Sequence, residues 1–266
     1  MIGNISVDRI RHLESDGERG LGGAALLLSL AAAEAGLVAV PVSVLGSDLA
    51  HVPAAPAFDV LDWSGVRHAE GATASFGLNY DTDGELLSVH PDYGVSEHLT
   101  AHALAYLAHH ADGQYHVCCR RPLDPRPVLS ALAARRSGFS VDFFIPSAND
   151  MIRLAAPWLP MASTIFVNRA EFQLLCAVLD IALLPEVVLT DGPRPALLLH
   201  RGLETARVMP PSHSARHVAG AGDTLAGTYL AHRRYGAPPG RALSAAVVAA
   251  TDYVTAPLLP IPTPRT

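Results

Sequence analysis

The chain has 266 residues, 50% of them hydrophobic, and a formal net charge of −6, enough apolar material for one large core. No apolar run reaches membrane-spanning length and the opening MIGNISVDRIRH lacks the pattern of a signal peptide, so no membrane contact and a cytoplasmic location are expected. All nineteen basic residues are arginine; their scatter argues against a nucleic-acid surface, and the absence of lysine excludes a Walker A loop and Schiff-base chemistry.

In chain order, Ile2 to Val7 alternates apolar and polar residues and predicts a first strand that delivers Asp8 at its C-terminal end. Gly22 and Gly23 then open an alanine-rich helix over Ala24 to Ala35, closed by Gly36, and Leu37 to Leu45 reads as a buried strand. Thr73 to Tyr80 and Glu85 to His90 flank Asp81-Thr82-Asp83-Gly84, a hairpin that could serve as a lid. Helices are predicted over 97–108, 127–136, 150–156 and 169–178, alternating with strands over 115–119, 139–144, 164–167 and 187–190. Such alternation implies a parallel sheet covered on both faces. A late hairpin around Arg201-Gly202, a glycine turn, two closing helices and an irregular proline-rich tail follow, with no linker to divide a single domain over 1–266.

Ligands of such sheets sit beyond the carboxyl ends of the strands, and Asp8, Asn168, Glu171, Thr190 and Asp223 all fall at or just after predicted strand ends or turns. The stretch Ala219 to Tyr229, AGAGDTLAGTY, is the most specific. Gly220 and Gly222 can reach positive φ and turn several N–H donors toward one point, and a helix expected from Asp223 to Arg234 adds its positive dipole end there. A carboxylate repels a phosphate, so Asp223 reads as the base that takes a proton from an attacking hydroxyl; the plainer alternative is a helix cap. Asn168 and Glu171 have capping-box spacing, which is compatible with a metal role. Arg120 and Arg121 are candidates for an anionic substituent or ordinary surface residues. Cys118, Cys119 and Cys176 lack metal-ligand spacing and are expected as core or near-core thiols, and the thirteen histidines show no metal-binding pattern. Gly20 to Ala25 fits G-x-G-x-x-A, but the charged run Glu14 to Arg19 stands where a dinucleotide site needs a strand.

Taken in order, Gly3-Asn4 with Asp8, Gly22-Gly23, Asn168-Arg169-Ala170-Glu171, Thr190-Asp191-Gly192 and Gly220-Ala221-Gly222-Asp223 resemble the ribokinase-like (pfkB) family of small-molecule kinases over most of the chain. The resemblance implies a three-layer α/β/α fold with a mostly parallel central sheet and a small β lid from roughly 9–21 and 73–90. It also implies an ATP- and Mg²⁺-dependent phosphotransferase acting on a hydroxyl of a sugar, nucleoside or cyclitol-like molecule, as a monomer or homodimer. By this likeness Asp223 is the catalytic base and Gly220, Ala221 and Gly222 form the anion hole. Thr190, Gly192 and Asn168 contact the nucleotide, Glu171 the metal, and Asn4, Asp8, Gly22 and Gly23 the acceptor. The chain departs from the family's pattern at His217-Val218-Ala219, at Leu27 and around Pro193 and Pro195. The alternative is therefore a catalytically weakened kinase fold that binds a sugar-like ligand or a partner.

Overall fold

The computed structural model describes residues 1–12, 17–81, 84–110, 112–212 and 215–263. Residues 14–16 of the charged run Glu14 to Arg19 and residues 82–83 of the hairpin turn lie outside them, while Glu18 and Arg19 of that run, read as turn-like, open a strand. The chain begins with β1 (Ser6–His12), β2 (Glu18–Gly22), α1 (Ala24–Glu34), β3 (Ser43–Gly46), β4 (Val66–Ala69), β5 (Ala74–Tyr80) and β6 (Leu86–Asp92). It continues through α2 (Leu99–His109), β7 (Tyr115–Cys119), α3 (Pro125–Ala134), β8 (Phe139–Phe143), α4 (Ile145–Ala155), β9 (Ile165–Asn168) and α5 (Arg169–Val178). Last come β10 (Glu186–Asp191), β11 (Arg194–His200), β12 (Leu203–Val208), α6 (Ala221–Arg234) and α7 (Pro239–Thr255).

Among the described residues the central sheet runs β12-β11-β10-β9-β8-β7, parallel from β7 to β10 and closed by the antiparallel β11 and β12. Alternate side chains of each strand serve opposite layers. Val117 and Cys119, Ile165 and Val167, and Val187 and Leu189 pack with α2 to α5, whereas Cys118, Phe166 and Val188 pack with α1, α6 and α7. The fold is thus the expected three-layer α/β/α arrangement with a small β lid. That lid is a separate sheet, β2-β1-β5-β6, in which β1 and β5 are parallel. No helix among the described residues is long and apolar enough to cross a membrane.

Four local expectations are corrected. The expected first strand is divided: Ile2 forms parallel bridges with Val42 and Val117 in the body, and the chain then crosses into the lid at Ser6, so Asp8 lies inside a lid strand and not at a strand end. Leu37 to Leu45 is a strand only from Ser43, since Pro41 has no N–H to donate to a ladder. Helices α3 and α4 start earlier than expected, because Pro125 and Pro146 occupy first-turn positions where a missing N–H costs nothing. Cys176 is exposed, while Cys118 and Cys119 are buried.

Helix α6 lies close against α1, and the contact depends on a residue without a side chain. A Cβ at Gly227 would stand 2.3 Å from the Leu28 carbonyl oxygen and 3.0 Å from the Ala31 Cβ. Glycine in a helix interior is otherwise unfavourable, so its presence reflects this approach. Gly227→Ala is expected to destabilise the protein by about 1–3 kcal/mol, read from urea denaturation; a neutral or stabilising change would show that the two helices separate freely.

Candidate active site

A cavity of about 250 Å³ opens where the carboxyl ends of β7 to β10 meet the lid and the start of α6. Period-2 alternation aims Ser6 and Asp8 of β1, and Phe76, Leu78 and Tyr80 of β5, down into it. Arg120, Asp142, Asn168 and Thr190, at or near the ends of the four parallel strands, line its floor.

The glycine turn is built for close approach. Gly220 caps α6 in the left-handed region at φ 85°, and a Cβ there would stand 2.6 Å from Leu27 Cδ1 and 2.7 Å from the Tyr253 hydroxyl. Gly222, expected to take positive φ, is helical instead; its Cβ position has no neighbour within 4 Å, and it faces the cavity. The helix begins at Ala221, two residues before the expected start. The Ala221 N–H donates to the Val218 carbonyl at 3.3 Å, which takes it out of the expected anion hole. The N–H groups of Gly222 and Asp223, in the first turn, have no acceptor within the helix.

Asp223 is buried, and Arg120 Nη2 donates to its Oδ1 at 3.0 Å. The same nitrogen binds Asp142 Oδ2. Burial raises the Asp223 pKa, Arg120 opposes this and Asp142 adds to it. Across the cavity the Ser6 hydroxyl donates to Asp8 Oδ1 at 2.7 Å. Burial pushes the Asp8 carboxyl up to about 6 against the opposing Ser6 hydrogen bond, with Asp223 raising it further. Gly22 makes room for this acid: a Cβ there would stand 2.0 Å from Asp8 Oδ2.

Asn168 and Glu171 form a complete capping box on α5. Glu171 N–H donates to Asn168 Oδ1 and Asn168 N–H to Glu171 Oε2, both at 2.9 Å. Burial lifts the Glu171 carboxyl to about 7, partly offset by its backbone hydrogen bond and increased by Asp142. A buried carboxylate short of positive charge, with Asn168 oxygen beside it, is a hard-oxygen donor set that suits Mg²⁺.

The cavity therefore collects Asn4, Asp8, Gly23, Asn168, Glu171, Thr190, Gly220, Gly222 and Asp223. Ala221, Gly22 and Gly192 do not line it; Gly22 supports Asp8 from behind, and Gly192 (φ 56°) turns the chain between β10 and β11. Arg121 lines the rim, exposed and 3.1 Å from Asp150. Of the departures, Leu27, Val218 and Ala219 form part of the wall, whereas buried His217 bonds the Ala256 carbonyl at 3.1 Å. Sequence reasoning missed Asp142 and His116. Their signal was a charged or polar side chain within short apolar strands, Phe139–Phe143 and Tyr115–Cys119.

Fold and site together define a phosphotransferase that acts on an alcohol group of a small molecule. The family model for pfkB family carbohydrate kinases matches residues 95–264, more than half of the chain, and the protein belongs to that family. Solved structures agree in fold at low identity. A Burkholderia thailandensis nucleoside kinase in complex with inosine superposes with a TM-score of 0.77 at 18% identity, covering 96% of this chain and 90% of that one. An adenosine kinase from Sinorhizobium meliloti gives 0.75 at 14%, covering 97% and 95%. A proposed ribokinase II from E. coli in complex with ATP and Mg²⁺ gives 0.75 at 17%, covering 96% and 92%. No curated protein matches the sequence.

The raised Glu171 pKa has a sign that can be checked. A carboxyl lifted from 4.5 to about 7 by folding contributes stability that is complete below the unfolded value and lost as pH rises through about 7. Gln at 171 can keep both capping contacts without the charge. Glu171→Gln is expected to match the parent near pH 4 and to exceed it above pH 7 by up to about 3 kcal/mol in ligand-free urea melts. A difference independent of pH would mean that Glu171 ionises normally.

Proposed function

We propose that this enzyme transfers the γ-phosphoryl group of ATP to a hydroxyl of a neutral, nucleoside-like acceptor, with Asp223 as the base. The observation that carries the reading is a single cavity holding both a buried acid at the start of α6 and an apolar lid wall. Phe76, Leu78, Tyr80, Leu27, Phe144 and Val218 offer a surface for a planar base, while Asp8 and Asn4 would hold sugar hydroxyls. Among the described residues four carboxylates, Asp8, Asp142, Glu171 and Asp223, line the cavity, and the half-buried guanidinium of Arg120 is engaged by two of them. This balance disfavours an anionic acceptor, so the possible anionic role of Arg120 is set aside.

In the reaction the acceptor oxygen bonds to the γ-phosphorus as its proton passes to an Asp223 oxygen, and the bond from that phosphorus to the β–γ bridging oxygen breaks to release ADP. Glu171 and Asn168 would hold Mg²⁺ or its waters, and the ion would offset phosphate charge in this acidic pocket. The Gly222 and Asp223 N–H groups stabilise charge on the phosphoryl oxygens, without any lysine. Thr190 and the Gly192 turn are assigned to the nucleotide side, Gly220 to the approach of the phosphates, Gly22 and Gly23 to the acceptor loop, and the lid to the exclusion of water.

An ADP-release screen with ATP and Mg²⁺ is expected to favour adenosine or inosine over ribose, fructose and inositol; preference for a sugar phosphate would overturn the acceptor reading. Asp223→Asn should lower turnover at least about a hundredfold while retaining ATP binding. Near-normal turnover removes Asp223 from its role, and nucleoside binding without ADP release by the parent protein would favour a binding protein instead.

A further inference from the structure

Arg120 is held from several sides. Its Nη2 is shared between Asp142 Oδ2 on β8 and Asp223 Oδ1 on α6, and its guanidinium carbon lies 5.6 Å from the centroid of the Phe144 ring. Asp142 is backed in turn. In the β7–β8 register His116 stands opposite Ser140, and Cys118 opposite Asp142. His116 Nδ1 and Ser140 Oγ are 2.9 Å apart, and His116 Nε2 faces Asp142 Oδ1 at 3.5 Å. His116, Ser140 and Asp142 are all buried. A polar chain thus runs along one face of the sheet from Ser140 to Asp223.

We infer that Arg120 and Asp142 are positioning residues that set the protonation of Asp223: Arg120 keeps this buried carboxylate ionised, and Asp142 shares the guanidinium so that Asp223 still accepts a proton. The inference rests on the reading of Asp223 as the base. Its physical content is a pair of opposed effects. A buried carboxylate drifts toward its neutral form and loses its use as a base, and a guanidinium within hydrogen-bond distance reverses that drift. Undivided, the same cation would hold the carboxylate so firmly that accepting a proton became unfavourable. A second acid on the same nitrogen divides the charge. The groups facing Asp223 include Arg120, His116 and Cys118 from the β7 side, Asp142 on β8, Asp8 and Tyr80 on the lid, and Tyr253 on α7; Glu171 on α5 acts on it through space. Of these, Arg120 donates a hydrogen bond directly to the carboxylate.

The test is a ¹³C titration of the Asp223 carboxyl in ligand-free protein, with the pH profile of kcat/KM measured in parallel. Arg120→Gln should raise the Asp223 titration by about one pH unit or more, and Asp142→Asn should lower it by a similar amount. The acidic limb of the rate profile should move the same way in each. A residue that only supports the fold would not give shifts of opposite sign. Unchanged titration in both variants, or shifts in the same direction, overturns the inference. If Arg120→Gln does not fold, Asp142→Asn decides alone: a downward shift supports the inference, and no shift or an upward one overturns it. If the carboxyl shifts and the rate profile does not follow, the coupling stands and Asp223 is not the base.

Discussion

One guanidinium nitrogen shared between two buried carboxylates is the contact on which the site depends. Arg120 Nη2 joins β8 to α6 through Asp142 and Asp223, and so ties the parallel sheet to the helix whose N-terminus faces the cavity. Burying any one of these charges alone would cost several kcal/mol. Together they are tolerable because the cation lies between the anions, with Phe144 beside it and His116 behind Asp142. The arrangement holds the proposed base at a fixed place relative to the glycine turn.

The same cavity is acidic, although it is proposed to receive phosphates. Asp8 and Glu171 carry raised pKa values chiefly because of burial, so both are short of positive charge. A chain without lysine has few ways to supply it: arginine, the partial charge of a helix start, or a metal ion. Arg120 is already committed. The proposed mechanism therefore rests on Mg²⁺ at Glu171 and on the first-turn N–H groups of α6. The apolar lid wall raises the strength of each of these interactions by lowering the local dielectric.

Much of this was readable from local pattern. Alternation of short apolar runs with helical segments fixed the three layers, since strands buried on both faces and helices buried on one leave different periodicities. The capping box of Asn168 and Glu171 was legible because it needs only residues three apart. Errors arose where a non-local constraint acted. Ile2 to Val7 alternates like one strand, yet pairing divides it between the body and the lid, and no local signal marks the crossing. Gly222 reads as a turn glycine, but the helix incorporates it once Gly220 alone has made the left-handed turn. Arg120 looks like a free cation in the sequence because its partners lie 22 and 103 residues away.

By itself, then, the sequence determined the fold class, the glycine turn with its acid, the capped α5 and the absence of lysine chemistry. These are matters of periodicity, spacing and composition, which act over a few residues. Tertiary structure alone decided that Asp8 reaches the cavity from a lid strand, that the lid wall is apolar, and that Arg120 belongs to Asp142 and Asp223. Each of those follows from strand register and layer packing, which bring distant residues within bonding distance and remove them from water, so that charges are decided by neighbours the chain order does not reveal.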